Sequence, residues 1–289
     1  MQISFHKVQS LSCDYIVPDD QEALAATPAL LARLLSDRYR SVGAKGLLLH
    51  KANKKDIFVR CFREDGTEVR PPEEALRALA AHVVLTEGMQ GETLRFAFSE
   101  GDRLLHVRRA PNGILTEGML PSPDFEPTAA GVRRSHPLLG QPVEVRGFAY
   151  PLYALSLGDL RFAVCFDFGT SLDRLRTTDV GVPLTVHPLF VTPPITVFVT
   201  VHAPDRLSLR LWEPDTGEPP ASLDAAAAAL AVACLLGRSP TREDVSIRMR
   251  GGTLHLSTES IGGSVSVTAP ATRCFHGTMQ LDELTGDTT

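Results

Sequence analysis

Short segments of alternating apolar and polar residues, rich in β-branched side chains, recur along most of the chain between turn-forming residues. Alternation with a period of two is typical of strands that bury one face. Strands are accordingly predicted at residues 56–62, 93–98, 103–109, 154–157, 161–166, 196–202, 207–212, 245–249, 253–257 and 264–268. The pattern therefore predicts a protein built mainly from strands.

Two segments differ from this background because they are apolar on most faces of a helix. The first reads PPEEALRALAAHVVLTEG from Pro71, and the second reads SLDAAAAALAVACLLG from Ser222. Prolines and acidic residues favour the start of the first helix, a serine caps the second, and Gly88 and Gly237 favour the two ends. A helix that is apolar all round is a buried helix. Two such helices predict two hydrophobic cores.

A proline-rich stretch, LPSPDFEPTAAG at residues 120–131, separates two regions that have the same order of strands, helix and strands. Its prolines disfavour a regular element and are typical of a linker. The sequence thus predicts a duplicated architecture, with one helix wrapped by a sheet in each half.

Composition and charge narrow the range of functions. The chain has 289 residues, 43% of them hydrophobic, which is enough for two cores, and its net charge of -5 argues against a nucleic-acid partner. The N-terminal segment lacks the features of a signal peptide and no apolar stretch reaches about 18 residues, so neither secretion nor a membrane partner is predicted. The five cysteines lack metal-ligand spacing, which favours a reducing cytoplasm and predicts no metal site.

Seven motifs, taken in order, resemble those of the diaminopimelate epimerase family. They are LSCDY at 11–15, SDR at 36–38, GAKGLLL at 43–49, FREDGTE at 62–68, HPLF at 187–190, RGGTLHLS at 250–257 and VTAPATRCFHGTM at 267–279. A further stretch, RLWEPDTGEPPAS at 210–222, is also similar to the phenazine-biosynthesis isomerases, which share the fold. The resemblance covers nearly the whole chain.

The resemblance implies an α+β fold of two similar domains, each a β-barrel-like sheet wrapped around a central α-helix. Because the family's final strand returns to the first domain, the implied N-terminal domain is residues 1–120 with 270–289, and the C-terminal domain is residues 121–269. The resemblance also implies a small-molecule ligand in the interdomain cleft, no cofactor, and the homodimer that bacterial relatives often form.

In that family two cysteines, one at the N-terminus of each central helix, move a proton on opposite faces of the substrate's α-carbon. The helix dipole suits this role because it favours a thiolate and binds a carboxylate. The aligned residues here are Pro72, which transfers no proton, and Ser222, which is interpreted as an N-cap. Glu73, Glu74 and Asp224 add negative charge where an amino-acid carboxylate would dock. We therefore expect no two-thiol epimerase chemistry.

The positions that hold the amino acid in the family have also changed. Most replacements remove amide or guanidinium groups and several introduce apolar side chains, so the charges of a zwitterion would lack partners. The substrate-binding positions that the resemblance implies are Cys13, Asp14, Arg63, Pro72, Glu73, Leu160, Arg161, Ile195, Pro214 and Ser222. Glu213 and Asp159 are the candidate catalytic carboxylates, because burial can move a carboxylate pKa toward neutrality. The ligand is predicted to be less polar than diaminopimelate.

Two hypotheses about function follow. The first is a cofactor-independent isomerase or cyclase of specialised metabolism, which moves a proton with carboxylates as the phenazine isomerases do on this fold. The second is a non-catalytic relative, a pseudoenzyme that binds a small molecule or a protein partner. The replacements favour the isomerase or cyclase hypothesis. They fall on positions that contact the substrate in the family, and they consistently make those positions less polar. Loss of turnover on changing Glu213 would separate the two.

Overall fold

A computed structural model describes residues 2–20, 27–53, 56–89, 92–99, 101–166 and 172–280 of the chain. The chain divides into two compact units: unit 1 runs to Gly118 and resumes at Ala269, and unit 2 extends from Met119 to Thr268. Strands predominate in both units, and each unit has one long buried helix. The predicted α+β fold class is confirmed. Among the described residues, no helix has the length and apolarity of a membrane span.

Unit 1 contains eight of the described strands and two helices. The strands are β1 (Gln2–Ser10), β2 (Cys13–Pro18), β3 (Gly46–Ala52), β4 (Ile57–Arg63), β5 (Glu68–Val69), β6 (Thr93–Phe96), β7 (Arg103–Ala110) and β8 (Gly113–Leu120). The helices are α1 (Pro28–Ser36) and α2 (Glu73–Leu85).

Unit 2 contains most of the remaining elements. Its strands are β9 (Pro123–Asp124), β10 (Leu139–Val145), β11 (Phe148–Leu157), β12 (Leu160–Phe166), β13 (Ile195–Ala203), β14 (Arg206–Trp212), β15 (Val245–Met249) and β16 (Gly252–Thr258). Its helices are a 3-10 turn (Leu172–Arg174), α3 (Thr177–Thr185) and α4 (Leu223–Leu235). The last strand, β17 (Val265–Gln280), pairs first with β16 in unit 2 and then, antiparallel, with β1 in unit 1.

The two central helices, α2 and α4, are each 13 residues long and begin where the sequence predicts. In α4 every residue from Leu223 to Cys234 is buried, and its run of alanines gives it a small cross-section inside the sheet. Gly88 and Gly237 follow the helices with φ of 69° and 63°, a conformation that only glycine adopts without strain. Local sequence chemistry therefore sets both ends of both helices.

The same run of elements occurs in each unit. In unit 1, β2 pairs in parallel with β3 across the α1 crossover, β3 pairs antiparallel with β4, and β4 leads through β5 into α2. In unit 2, β12 pairs in parallel with β13 across α3, β13 pairs antiparallel with β14, and β14 leads into α4. Both crossover helices have nine residues. This internal repeat is the duplicated architecture that the sequence predicts.

The sequence patterns did not predict the crossover helices. Helix α3, TTDVGVPLT, contains a glycine and a proline and has weak helix propensity. Tertiary packing supports it, because a Cβ added at Gly181 would lie 2.3 Å from Trp212 Cγ. The stretch interpreted as a linker, residues 120–131, contains β9, which pairs with the end of β11.

Candidate active site

The repeat places the ends of three strands side by side in each unit. In unit 1 Tyr15 is paired with Gly46 and Gly46 with Arg63, so the starts of β2 and β3 and the end of β4 share one edge, here called edge 1. In unit 2 Phe162 is paired with Ile195, and Thr196 with Trp212, so the starts of β12 and β13 and the end of β14 form edge 2. The two edges carry most of the candidate site residues.

Edge 1 holds Cys13, Asp14 and Arg63. Cys13 follows a two-residue turn in which Leu11 and Ser12 have φ of 50° and 62°. Two successive left-handed residues other than glycine are uncommon and cluster at functional sites. The thiol of Cys13 is nevertheless buried, because the residue is only 1% exposed.

Asp14 is the centre of an ion-pair network at edge 1. Arg38 donates to it twice, from Nη1 at 3.1 Å and Nη2 at 2.6 Å, and Lys7 Nζ lies 2.9 Å from the carboxylate. The backbone N–H of Lys45 also donates to it, at 3.2 Å. Burial alone would raise the pKa of Asp14, but the hydrogen bonds from Arg38 and Lys7 outweigh it and lower the pKa. The network explains structurally why the segment around Arg38 packs against the start of β2.

Asp14→Asn is expected to lower the free energy of unfolding by about 2 kcal/mol at pH 7, discounted for the exposure of Arg38. Since the folded pKa lies below 3.8, this contribution is complete above that pH and disappears as the pH falls through the folded pKa. Urea unfolding from pH 7 to pH 3 should show the two proteins converging at the acid end. The control is Glu92→Gln at an exposed carboxylate of unit 1; a constant difference at every pH would contradict the ion-pair account.

The N-terminus of α2 carries a buried ion pair. Pro72 is the N-cap, and the first turn contains Glu73 and Glu74, both buried. Glu73 Oε2 accepts from Arg77 Nη1 at 2.6 Å, and Arg103 Nε lies 3.6 Å from Glu73 Oε1. Arg77 has no exposed surface. Glu73 is therefore held by arginines of its own unit.

Edge 2 brings together the candidate residues of unit 2. Leu160 and Arg161 start β12, Asp159 lies in the exposed turn before it, Ile195 starts β13, and Glu213 with Pro214 follows β14. The side chain of Arg161 curls back so that Nη1 donates to the backbone carbonyl of Asp159 at 3.2 Å. Edge 2 thus combines apolar side chains with two carboxylates.

Glu213 is held by a tight turn. Its backbone exchanges two hydrogen bonds with Gly217, at 2.7 and 3.0 Å, and the Thr216 hydroxyl donates to its carboxylate. The side chain is half-buried. The residue after the turn, Glu218, accepts from Arg210 Nε at 2.6 Å and Nη2 at 2.7 Å, and Thr177 donates to it at 2.8 Å. These contacts fix the position of Glu213 before α4.

Ser222 caps α4. Its hydroxyl oxygen accepts from the backbone N–H of Ala225 at 3.2 Å, the contact expected of a serine N-cap. Asp224 in the first turn is 9% exposed. The N-cap interpretation of Ser222 is confirmed.

Four of the five cysteines have raised thiol pKa values. Burial raises the pKa of Cys61 to about 12 and that of Cys234 to about 11, and it raises the pKa of Cys165 as well. Cys274 is exposed, but partial desolvation of its thiol also raises its pKa. A raised pKa disfavours the thiolate, the form that reacts. These four thiols are therefore unsuited to proton transfer near neutral pH.

Unit 1 contains a group of histidines that the sequence motifs do not predict. His6, His50, His82 and His276 come together with Asp19 and Glu87, and they form two sets of three potential metal ligands. Only the cysteines were considered as ligands from the sequence. The pairing of His6 with His276 in β1 and β17 is the signal that brings distant histidines together.

No family model matches the chain, but curated relatives match it over nearly its full length. Diaminopimelate epimerase from Desulfovibrio desulfuricans is 28% identical over 297 aligned positions, which cover 95% of this chain and 97% of the relative. Diaminopimelate epimerase from Synechococcus sp. is 29% identical over 290 positions, covering 96% and 98%. The resemblance predicted from the motifs is confirmed.

Solved structures share the fold at low sequence identity. A phenazine biosynthesis protein of the PhzF family from Bacillus anthracis has a TM-score of 0.66 at 12% identity, covering 97% of this chain and 99% of that one. A probable proline racemase from Agrobacterium radiobacter K84 has a TM-score of 0.67 at 10% identity, covering 98% and 94%. A methylitaconate-delta-isomerase has a TM-score of 0.57 at 13% identity, covering 100% and 98%.

Proposed function

We propose that this chain, a divergent relative of the diaminopimelate epimerases, is a cofactor-independent isomerase that moves a proton with a carboxylate instead of a pair of thiols. The observation that carries the proposal is the chemistry of the two helix starts. Pro72 has no ionisable group, and the hydroxyl of Ser222 is engaged as the cap of α4. A serine hydroxyl without an adjacent base is too weak an acid to replace a thiol.

Glu213 is the group that we assign to proton transfer. It is half-buried at edge 2, and the Thr216 hydroxyl and the Gly217 backbone hold it in place. A general base must hold its carboxylate within hydrogen-bond reach of the proton that it takes, and these contacts keep the Glu213 carboxylate in one position at edge 2. Asp159, in the exposed turn of the same edge, is the second carboxylate of the proposal.

The substrate is proposed to be an organic molecule without an amino-acid zwitterion. Edge 2 offers Leu160, Ile195 and Pro214, and each apolar contact contributes roughly 25 cal/mol per Å² of covered surface. A buried ammonium and carboxylate would each need a hydrogen-bonded partner. The names of the relatives support isomerase chemistry, and methylitaconate, the compound named for one structural neighbour, carries no amino group.

The proposed step is a proton shift. The Glu213 carboxylate takes a proton from a saturated carbon next to a carbon–carbon double bond. The electron pair of the broken C–H bond forms a new double bond to the neighbouring carbon, and the π pair of the old double bond moves to the far carbon. The carboxylic acid of this half-buried residue exchanges its proton with solvent and then delivers a proton to the far carbon, which regenerates the carboxylate. No electrons are gained or lost overall, so the step uses only the side chains of the chain, the substrate and solvent.

The test is hydrogen exchange in D2O, followed by proton NMR, with a panel of uncharged unsaturated esters that begins with the dimethyl ester of methylitaconate. At least one member should incorporate deuterium at carbon, and Glu213→Gln should slow the exchange by about 10²–10⁴-fold with a much smaller effect on ligand affinity. Glu259→Gln, at a side chain that is 90% exposed, is the matched control. Exchange at an unchanged rate in Glu213→Gln would remove that residue from the mechanism. Binding without exchange across the panel would favour the non-catalytic alternative.

A further inference from the structure

Unit 1 contains a group of six ionisable side chains that the proposed isomerase step does not use. We call it the histidine cluster: His6 in β1, Asp19 after β2, His50 in β3, His82 in the last turn of α2, Glu87 after α2, and His276 in β17. The rings form a row, because the centroid of His82 lies 5.3 Å from that of His50 and 4.9 Å from that of His6, and His6 lies 4.6 Å from His276.

Each end of the row has a carboxylate. Glu87 Oε1 lies 2.7 Å from His50 Nε2 and 3.2 Å from His82 Nε2, so three donor atoms converge on one point. At the other end, Asp19 lies 3.3 Å from His6 Nε2 and 3.2 Å from His276 Nε2. The ligand atoms of each set of three lie within 4.8 Å of one another. Two imidazoles and a carboxylate are a common ligand set for zinc.

The two central rings of the row also carry unpaired buried atoms. His6 is 8% exposed and His82 is 4% exposed, and the Nδ1 atom of each has no hydrogen-bond partner among the residues that the structure describes. Buried polar atoms are nearly always paired, because leaving one unpaired costs about 1–3 kcal/mol. Both atoms belong to the two central rings of the row. The Nδ1 atom of His82 lies across the ring from Nε2, so it is the convergence of the three ligand atoms at Glu87 that indicates an ion site.

We propose that the histidine cluster binds a borderline divalent cation of the Zn²⁺ class through His50 Nε2, His82 Nε2 and the Glu87 carboxylate. This set is favoured over the other because the side chains of His50 and His82 are 4% and 5% exposed, whereas those of His276 and Asp19 are 48% and 41% exposed. Glu87 is 36% exposed and lies on the turn after α2, so its carboxylate can move to the roughly 2.0–2.2 Å that a metal bond requires. Three protein ligands leave a fourth position for water or a small molecule.

The fold places these ligands at a single point for local reasons. The backbone N–H of Thr86 bonds to the carbonyl of His82 at 2.8 Å, and Gly88 with its positive φ ends the helix, so the chain turns Glu87 back over the last helical turn. His50 approaches from the neighbouring strand β3. The alternative without an ion is a carboxylate that bridges two imidazoles. A measurement of metal binding distinguishes the two arrangements.

The test uses Zn²⁺ alone, added to chelator-treated, tag-free protein that carries Cys274→Ser, since Cys274 is an exposed thiol. Calorimetry should show saturable binding of one ion, and Co²⁺ in its place should give the visible absorption of a four-coordinate nitrogen and oxygen site. Glu87→Gln and His50→Gln should each weaken binding by more than about 100-fold. Glu87→Gln keeps a hydrogen-bond acceptor on the exposed turn, and circular dichroism checks its folding.

His276→Gln is the matched control, because it removes an imidazole from the neighbouring set and leaves the proposed ligands in place. It should keep the affinity of the parent for Zn²⁺ within a few fold. Loss of binding in His276→Gln with retention in Glu87→Gln would overturn the assignment. Absence of saturable binding in the parent protein would show that the cluster is an ion-free network.

Discussion

Glu73→Gln is expected to lower the free energy of unfolding by about 3–5 kcal/mol, because it removes the carboxylate that pairs with the buried guanidinium of Arg77. Arg77 has no exposed surface, and the carboxylate of Glu73 lies 2.6 Å from it. The favourable interaction of Glu73 with the helix dipole accounts for only about 0.3–1 kcal/mol of this loss. Burial of the arginine is therefore the dominant cause, and urea unfolding followed by circular dichroism measures it.

An exposed ion pair of similar geometry provides the control. Arg60 and Glu68 are joined at 2.8 Å, but both side chains are 48% exposed, so Glu68→Gln should cost less than about 1 kcal/mol. The double variant Glu73→Met with Arg77→Met should be closer in stability to the parent than Glu73→Gln is, since two apolar side chains need no partner. If Glu73→Gln costs no more than Glu68→Gln, the buried pair is not a stabilising element of unit 1.

The central helices were predictable because the signals that define them are local. Pro71 and Pro72 precede the first helix, Ser222 caps the second, and glycines end both. Apolar residues on every face predict burial without knowledge of the partners. The fold class follows from these two helices and the alternating segments around them.

The crossover helices were not predictable because packing, and not propensity, stabilises them. Helix α3 contains Gly181 and Pro183, and no side chain caps its start. It forms where Gly181 lies against Trp212, a residue of strand β14. In α1, Leu31 and Leu35 belong to the unit 1 core. The helix has only nine residues, which is too short for its apolar positions to show a clear helical repeat in the sequence.

The candidate site residues came from alignment with a family, and the strand register now shows which of them are neighbours. Which residues share edge 2 depends on the strand register, which pairs Phe162 with Ile195 and Thr196 with Trp212. Their roles in binding or catalysis remain predictions. The histidine cluster is not predictable from local motifs, because some of its members come from opposite ends of the chain, as His6 and His276 do.

We propose that the two helix starts do not support thiol-based proton exchange at an amino-acid α-carbon. Pro72 and Ser222 occupy those starts, and burial raises the pKa values of Cys61, Cys165 and Cys234. Two-face exchange requires an acid and a base on opposite sides of the carbon. Diaminopimelate in D2O is the direct test of this claim, because each proton transfer at the α-carbon leaves deuterium behind.

The measurement is proton NMR of the α-hydrogen of diaminopimelate in D2O, with the purified chain in one sample and the Desulfovibrio desulfuricans diaminopimelate epimerase in another as the positive control. The account predicts that the α-hydrogen signal stays constant with this chain over a period in which the control enzyme removes it completely. Deuterium incorporation by this chain at a rate comparable to that of the control would contradict the account.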